Sequence, residues 1–181
     1  MSELEDSMTT YHQIAEAIGQ VCFWWTAIED HVADVCLHAA ACIEHSLSEN
    51  AGWDIMLIMM LNQSDRERFA TAKALVHMIG DEAIYRKCEK IINHIDNDLR
   101  PERNSYVHGA WDVQDGSIVR RRVSVRVLRP QSRKTELKHY NEVPFSDVDQ
   151  VRRFVDQLET AYHDLSDLDA AIAGHGTTPC G

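Results

Sequence analysis

Apolar or small residues recur at Ile14, Ile18, Val21, Trp25, Ile28, Val32, Val35, Ala39 and Cys42, and this spacing constrains the chain more than any other feature. Steps of four and three place all of them on one stripe of a long helix, which must bury that stripe against a partner helix. A strand, with its period of two, cannot present such a stripe. After a turn at Ser48 to Gly52, a second helical region is expected to break near Asn62 to Asp65. Ser64 caps a new start there, and the pattern resumes through Phe69, Ala72, Val76 and Ile79 until Gly80 stops it. Ile84, Cys88, Ile91, Ile95 and Leu99 mark a third helix, after which Pro101 forces a kink or a restart.

The period then changes to two. Val119, Val123, Val125 and Val127 alternate with Arg120, Arg122 and Arg126, as in a half-exposed strand, with Arg121 the exception on the apolar side. Asp115 and Gly116 offer a hairpin turn before it, and a strand from Thr135 to Val143 follows a turn around Pro130 to Lys134. Ser146, with Asp149 three residues on, starts the last helix, whose stripe is Val148, Val151, Val155, Leu158, Tyr162, Leu165 and Leu168. The expected fold is mainly all-α: a four-helix up-down bundle with a small antiparallel β insertion, about 110–143, between helices 3 and 4. One domain is expected over 1–173, followed by a disordered tail, 174–181.

Composition narrows the function. A chain of 181 residues suits one domain with its own core. The acidic opening, MSELEDSM, lacks the basic and apolar regions of a signal peptide, so a cytoplasmic protein is expected. The longest apolar run, Trp53 to Leu61, is broken by Asp54 and falls short of the roughly 20 residues that span a bilayer. Of five cysteines, Cys22, Cys36, Cys42 and Cys88 sit in helical patterns as reduced thiols, and Cys180 lies in the GHGTTPCG tail. The net charge of -11 argues against coating nucleic acid with the whole surface. Residues 100–138, however, hold ten Lys or Arg against four Asp or Glu, so +6 there sits on -17 elsewhere. Such asymmetry fits a limited phosphate-binding face, or a solvated strand face.

The chemistry-bearing segment is RNSYVHGAW, Arg103 to Trp111. Arg103 and His108 are five residues apart, about 140 degrees around an unbroken helix, so they share a cleft only where the helix ends or a second subunit completes the site. The Arg-Asn pair, three intervening residues and His-Gly, closing the third helix of a four-helix domain, resembles the Arg-x(4-6)-His motif of the HEPN superfamily. The resemblance implies a homodimer whose two motifs meet at the interface and, in active members, a metal-independent endoribonuclease of toxin or defence type with an antitoxin-type partner. Arg103, Asn104 and His108 are then the catalytic candidates. An imidazole at position 108 suits proton transfer at a ribose 2'-hydroxyl or a departing 5'-oxygen. A guanidinium at 103 suits a phosphate gaining negative charge, and Asn104 orients either group. Tyr106 and Trp111 are candidates for stacking on RNA bases, and Arg120, Arg122 and Arg126 for holding flanking phosphates. Pro101 and the basic strand segment depart from the simplest members of that superfamily. No cofactor is expected.

The same residues fit plainer roles. Arg, Asn and His at a helix end serve as caps or interface hydrogen bonds, His-Gly is a helix stop, and Tyr106 and Trp111 fit core positions. A catalytically inactive helical interaction or nucleotide-binding module is therefore an alternative. A bundle metalloprotein is another, because His31, His38 and His45 recur every seven residues with Asp34 and Glu44 nearby. They flank the apolar stripe, though, and neighbours so spaced stand about 10 Å apart, too far to share one metal directly. Met56, Met59 and Met60 read as core filler.

Overall fold

A computed structural model describes residues 3–43, 63–114, 117–122, 141–145 and 148–175, and these are mostly helical. Helix α1 runs Glu3–Ile43, α2 Asp65–Met78, α3 Glu82–His94, α4 Arg100–Val107 and α5 Val148–His175. Strands β1 (Ala110–Gln114), β2 (Ser117–Arg122) and β3 (Asn141–Phe145) form one antiparallel sheet in the order β1-β2-β3. The second helical region expected from about residue 53, its turn, His45, the Ser146 cap and residues 123–140 lie outside the described residues. The Asp115–Gly116 turn also lies outside them, although the paired Gln114 and Ser117 flank it.

The chain forms two compact units, Met1–Cys22 with Glu102–Val155, and Phe23–Pro101 with Asp156–Gly181. In the second, the α1 stripe continues as buried Trp25, Ile28, Val32, Val35 and Ala39, with Cys36 beside it. Trp25 meets Phe69 of α2 ring to ring at 6.4 Å, and α5 answers with buried Leu158, Leu165, Leu168 and Ile172. Burying one such side chain contributes roughly 1.5–3 kcal/mol. In the first unit Ile14, Ala17 and Val21 of α1 are buried, as are Tyr106, Val119, Val151 and Phe154.

Local chemistry sets the helix boundaries. The Glu67 carboxylate accepts from the Ser64 N–H at 2.8 Å and the Ser64 hydroxyl at 2.7 Å, closing the first turn of α2. Those two bonds hold the Glu67 carboxyl below its usual range. Gly80 ends the α2 region at φ 83, a left-handed conformation that favours glycine. Asp81 then caps α3 by accepting from the Ala83 and Ile84 N–H groups at 2.8 and 3.0 Å.

The chain does not restart at Pro101, since helical turns run on without a break from Glu82 to Val107. Instead Ile95–Leu99 widens into a π turn between α3 and α4, and the Arg100 N–H reaches back to Ile95 O. Proline has no N–H, so it cannot donate to the Asp96 carbonyl five residues before it. The Arg100 Nε covers that carbonyl at 3.4 Å and pairs with Asp96 Oδ1 at 2.8 Å.

Candidate functional site

Helix α4, RPERNSYV, ends at Val107, and the His108 N–H donates to Asn104 O at 3.0 Å. A Cβ on Gly109 would lie 2.6 Å from the Ser105 carbonyl and 3.2 Å from Arg120 Cγ, so only glycine fits. The stop is thus enforced by close approach of backbone and side chain, and among the described glycines only Gly80 has the left-handed φ usual at such stops. Beyond it, β1 and β2 pair with Trp111 directly opposite Arg120. Directly paired residues share a face of the sheet, which delivers the Arg120 guanidinium to the aromatic rings behind α4.

Of the three catalytic candidates, Arg103 and Asn104 touch: Arg103 Nη1 donates to Asn104 Oδ1 at 2.9 Å. Guanidinium carries only donors, so the amide must present its oxygen and its NH2 end is turned to other work. Both side chains are half-buried, while His108, one residue past the helix, is exposed. A fixed guanidinium, an oriented amide and a solvent-reachable imidazole therefore occupy the last turn of one helix and the residue following it.

The base-stacking role expected for Tyr106 is corrected by its surroundings. The side chain is 1% exposed, and its ring packs at 5.2 Å from Phe154 and parallel to Trp111 at 6.5 Å. Its hydroxyl donates to Glu102 Oε1 at 3.2 Å. Burial, reinforced by the Glu102 carboxylate, pushes the Tyr106 phenol up to about 12. Trp111 is half-buried, and its Nε1 donates to Tyr106 O at 3.1 Å, satisfying one of the carbonyls that a helix C-terminus leaves open. Arg120, offered as a phosphate contact, is half-buried with its Cζ 4.9 Å from the Tyr106 ring centroid and 5.9 Å from that of Trp111. Ring faces take the place of solvent around this cation. The Arg122 side chain and the whole of Arg126 lie outside the described residues. Glu102, which ties Tyr106 down, was not singled out; its signal was the four-residue step to Tyr106 on one helix face.

The histidine stripe divides among different partners. His31 Nδ1 lies 4.0 Å from Asp34 Oδ2, and its ring stands 4.7 Å from Tyr162. His38 Nδ1 lies 2.6 Å from Asp169 Oδ1 on α5. Among the described residues, no three His, Cys, Asp or Glu side chains converge as a metal ligand set. Burial pushes the Cys36 and Cys88 thiols up to about 12, far from the thiolate a nucleophile needs near neutrality. No helix of the described residues is long and apolar enough to cross a membrane.

Comparisons with protein-family models, with curated proteins and with solved structures give no match to this chain.

Proposed function

We propose that this chain is a HEPN-like dimeric protein, a four-helix up-down arrangement with its strands as an insertion, that cleaves RNA in the cytoplasm without a metal. The observation that carries this is the Arg103–Asn104 hydrogen bond at the end of α4, with His108 exposed immediately beyond it. Cleavage starts when His108 takes the proton of a ribose 2'-hydroxyl, which then attacks the adjacent phosphorus. Arg103, steadied by Asn104, offsets the charge growing on the phosphate oxygens, and the 5'-oxygen leaves with a proton. The attacking group comes from the RNA itself. Two motifs facing one another across a dimer supply the acid and the base, and an antitoxin-type partner restrains the activity. The burial of Tyr106 and the engagement of Arg120 favour structural roles for those two residues, which also suits the alternative of a catalytically inactive helical interaction or nucleotide-binding module.

Incubating the purified protein with RNA in EDTA tests the proposal. Cleavage leaving a 2',3'-cyclic phosphate is expected, with His108→Ala slowing it by a factor on the order of 100 or more while the melting temperature holds. Cleavage that needs added metal, survives His108→Ala, or never occurs with the folded dimer removes the nuclease from consideration.

A further inference from the structure

Away from that site, α1 and α5 share a run of aromatic rings within the second unit. Phe23 is 66% exposed, and its ring meets Trp24 edge-on at 5.4 Å. Trp24 lies 5.3 Å from Tyr162, which lies 4.7 Å from His31 and 5.4 Å from His163. Phe23 and Trp24 stand off the buried stripe of Val21, Trp25 and Ile28: Phe23 is left to solvent, and Trp24 and Tyr162 are half-buried against one another. Trp24 also lies 6.5 Å from His163, so Trp24, Tyr162 and His163 form one cluster that Phe23 and His31 extend along α1, a length that suits a segment of chain better than a lone small ion.

Charge indicates what covers them. Helix α1 holds no Lys or Arg, and α5 holds none after Arg153. The second unit has seven Lys or Arg against eighteen Asp or Glu, so the chain's whole net charge of -11 resides there. Carboxylates border the two histidines of the run: Asp34 is 4.0 Å from His31, and Glu159 is 4.0 Å from His163. Their side chains are 51% and 48% exposed. A surface with this composition repels nucleic acid and attracts cations.

We propose that this surface docks a Lys- or Arg-bearing segment of a partner protein, its cationic groups lying over the Trp24 and Tyr162 rings and pairing with Asp34 and Glu159. Trp24 and Tyr162 supply ring faces whose negative potential adds to that of the carboxylates. The RNA chemistry above has no part in this, and RNA is left out of the test.

The 181-residue chain is titrated calorimetrically with a synthetic peptide of alternating Arg and Gly at about 0.15 M salt. Saturable binding is expected, weakened about fivefold by Trp24→Leu or Tyr162→Leu and about threefold by Phe23→Ser. Asp34→Asn with Glu159→Gln is expected to lower both affinity and salt dependence, whereas Glu82→Gln, at an exposed position of α3, changes neither. Phe23→Ser alters a side chain too exposed to hold the fold, so it stays informative if the other ring variants unfold. The proposal falls if the wild type does not bind, if Glu82→Gln weakens binding as much as Glu159→Gln, or if the ring variants bind unchanged. It falls equally if sedimentation shows the ring variants dissociating a dimer of this chain, since a second copy is then the occupant.

Discussion

Tyr106 does three things at once for the end of α4. Its ring packs on Phe154, its hydroxyl holds Glu102, and its carbonyl is covered by the Trp111 indole. Because burial raises the Tyr106 phenol to about 12, the protonated form is the one the fold favours. Its contribution to stability is complete below the ordinary tyrosine value of about 10 and is lost as pH rises from there towards 12. Alkaline titration followed by phenolate absorbance should therefore show one late step, and Tyr106→Phe should abolish it. An unchanged late step in Tyr106→Phe would mean that the ring is not sealed in this way. In the sequence Tyr106 stood as a candidate base-stacking ring and, on the plainer reading that carried more weight, as a core ring, because both uses call for the same residue type. The deciding partner, Phe154, lies on another helix, beyond the reach of local spacing. Gly109 was legible as a stop, yet its cause, the approach of Ser105 and Arg120, depends on the sheet register. Arg103 and Asn104 were legible as neighbours, but the bond between them was not.

At the scale of elements, the stripes of α1, α3 and α5 were plain in the spacing, since a helix that buries one face repeats its apolar residues whatever its partner. The Ser64 start and the Gly80 stop were equally plain, since each rests on contacts within a few residues. Pro101 announced a disturbance without disclosing its form. Whether a helix answers proline by breaking or by widening depends on who satisfies the stranded carbonyl, and here Arg100 does. Arg100→Met should therefore cost about 1–3 kcal/mol in urea unfolding, because it leaves the Asp96 carboxylate, 17% exposed, without its cation. Arg86→Met, which removes the exposed pair with Glu82, should cost under about 0.5 kcal/mol. Equal losses from the two would deny Arg100 its role in the π turn.

For the whole molecule, the distribution of charge matters more than its total. The basic stretch 100–138 was visible in the sequence and pointed to phosphate, but the acidic α1–α5 surface emerges only when two helices distant in the chain come together. Asp34 belongs to that surface. Burial first, then its neighbours Asp169 and Asp30, raise its carboxyl above the usual value, outweighing the opposite pull of His31 and His38. A raised carboxyl is a stabilising group only while protonated, so its contribution is present at acid pH and lost as pH climbs through its folded value. Asp34→Asn should accordingly raise the melting temperature at pH 7, on the order of 1 °C, and the gain should shrink as pH falls towards 4. A lower melting temperature at pH 7 would show that Asp34 is better held by His31 than its burial implies. The same substitution weakens docking of a basic segment, so stability and recognition oppose one another at this position.

The chain passes between its two compact units at Cys22–Phe23, at Pro101–Glu102 and at Val155–Asp156, and each crossing falls inside a helix. No Gly- or Pro-rich linker marks the junctions, and no single cut releases either unit as one continuous stretch of chain. Dissection by truncation therefore severs α1, α4 or α5 in mid-course, and shortened versions of the protein inherit broken helices with bare apolar stripes. To make either unit alone, its two stretches of chain would have to be joined by a new link.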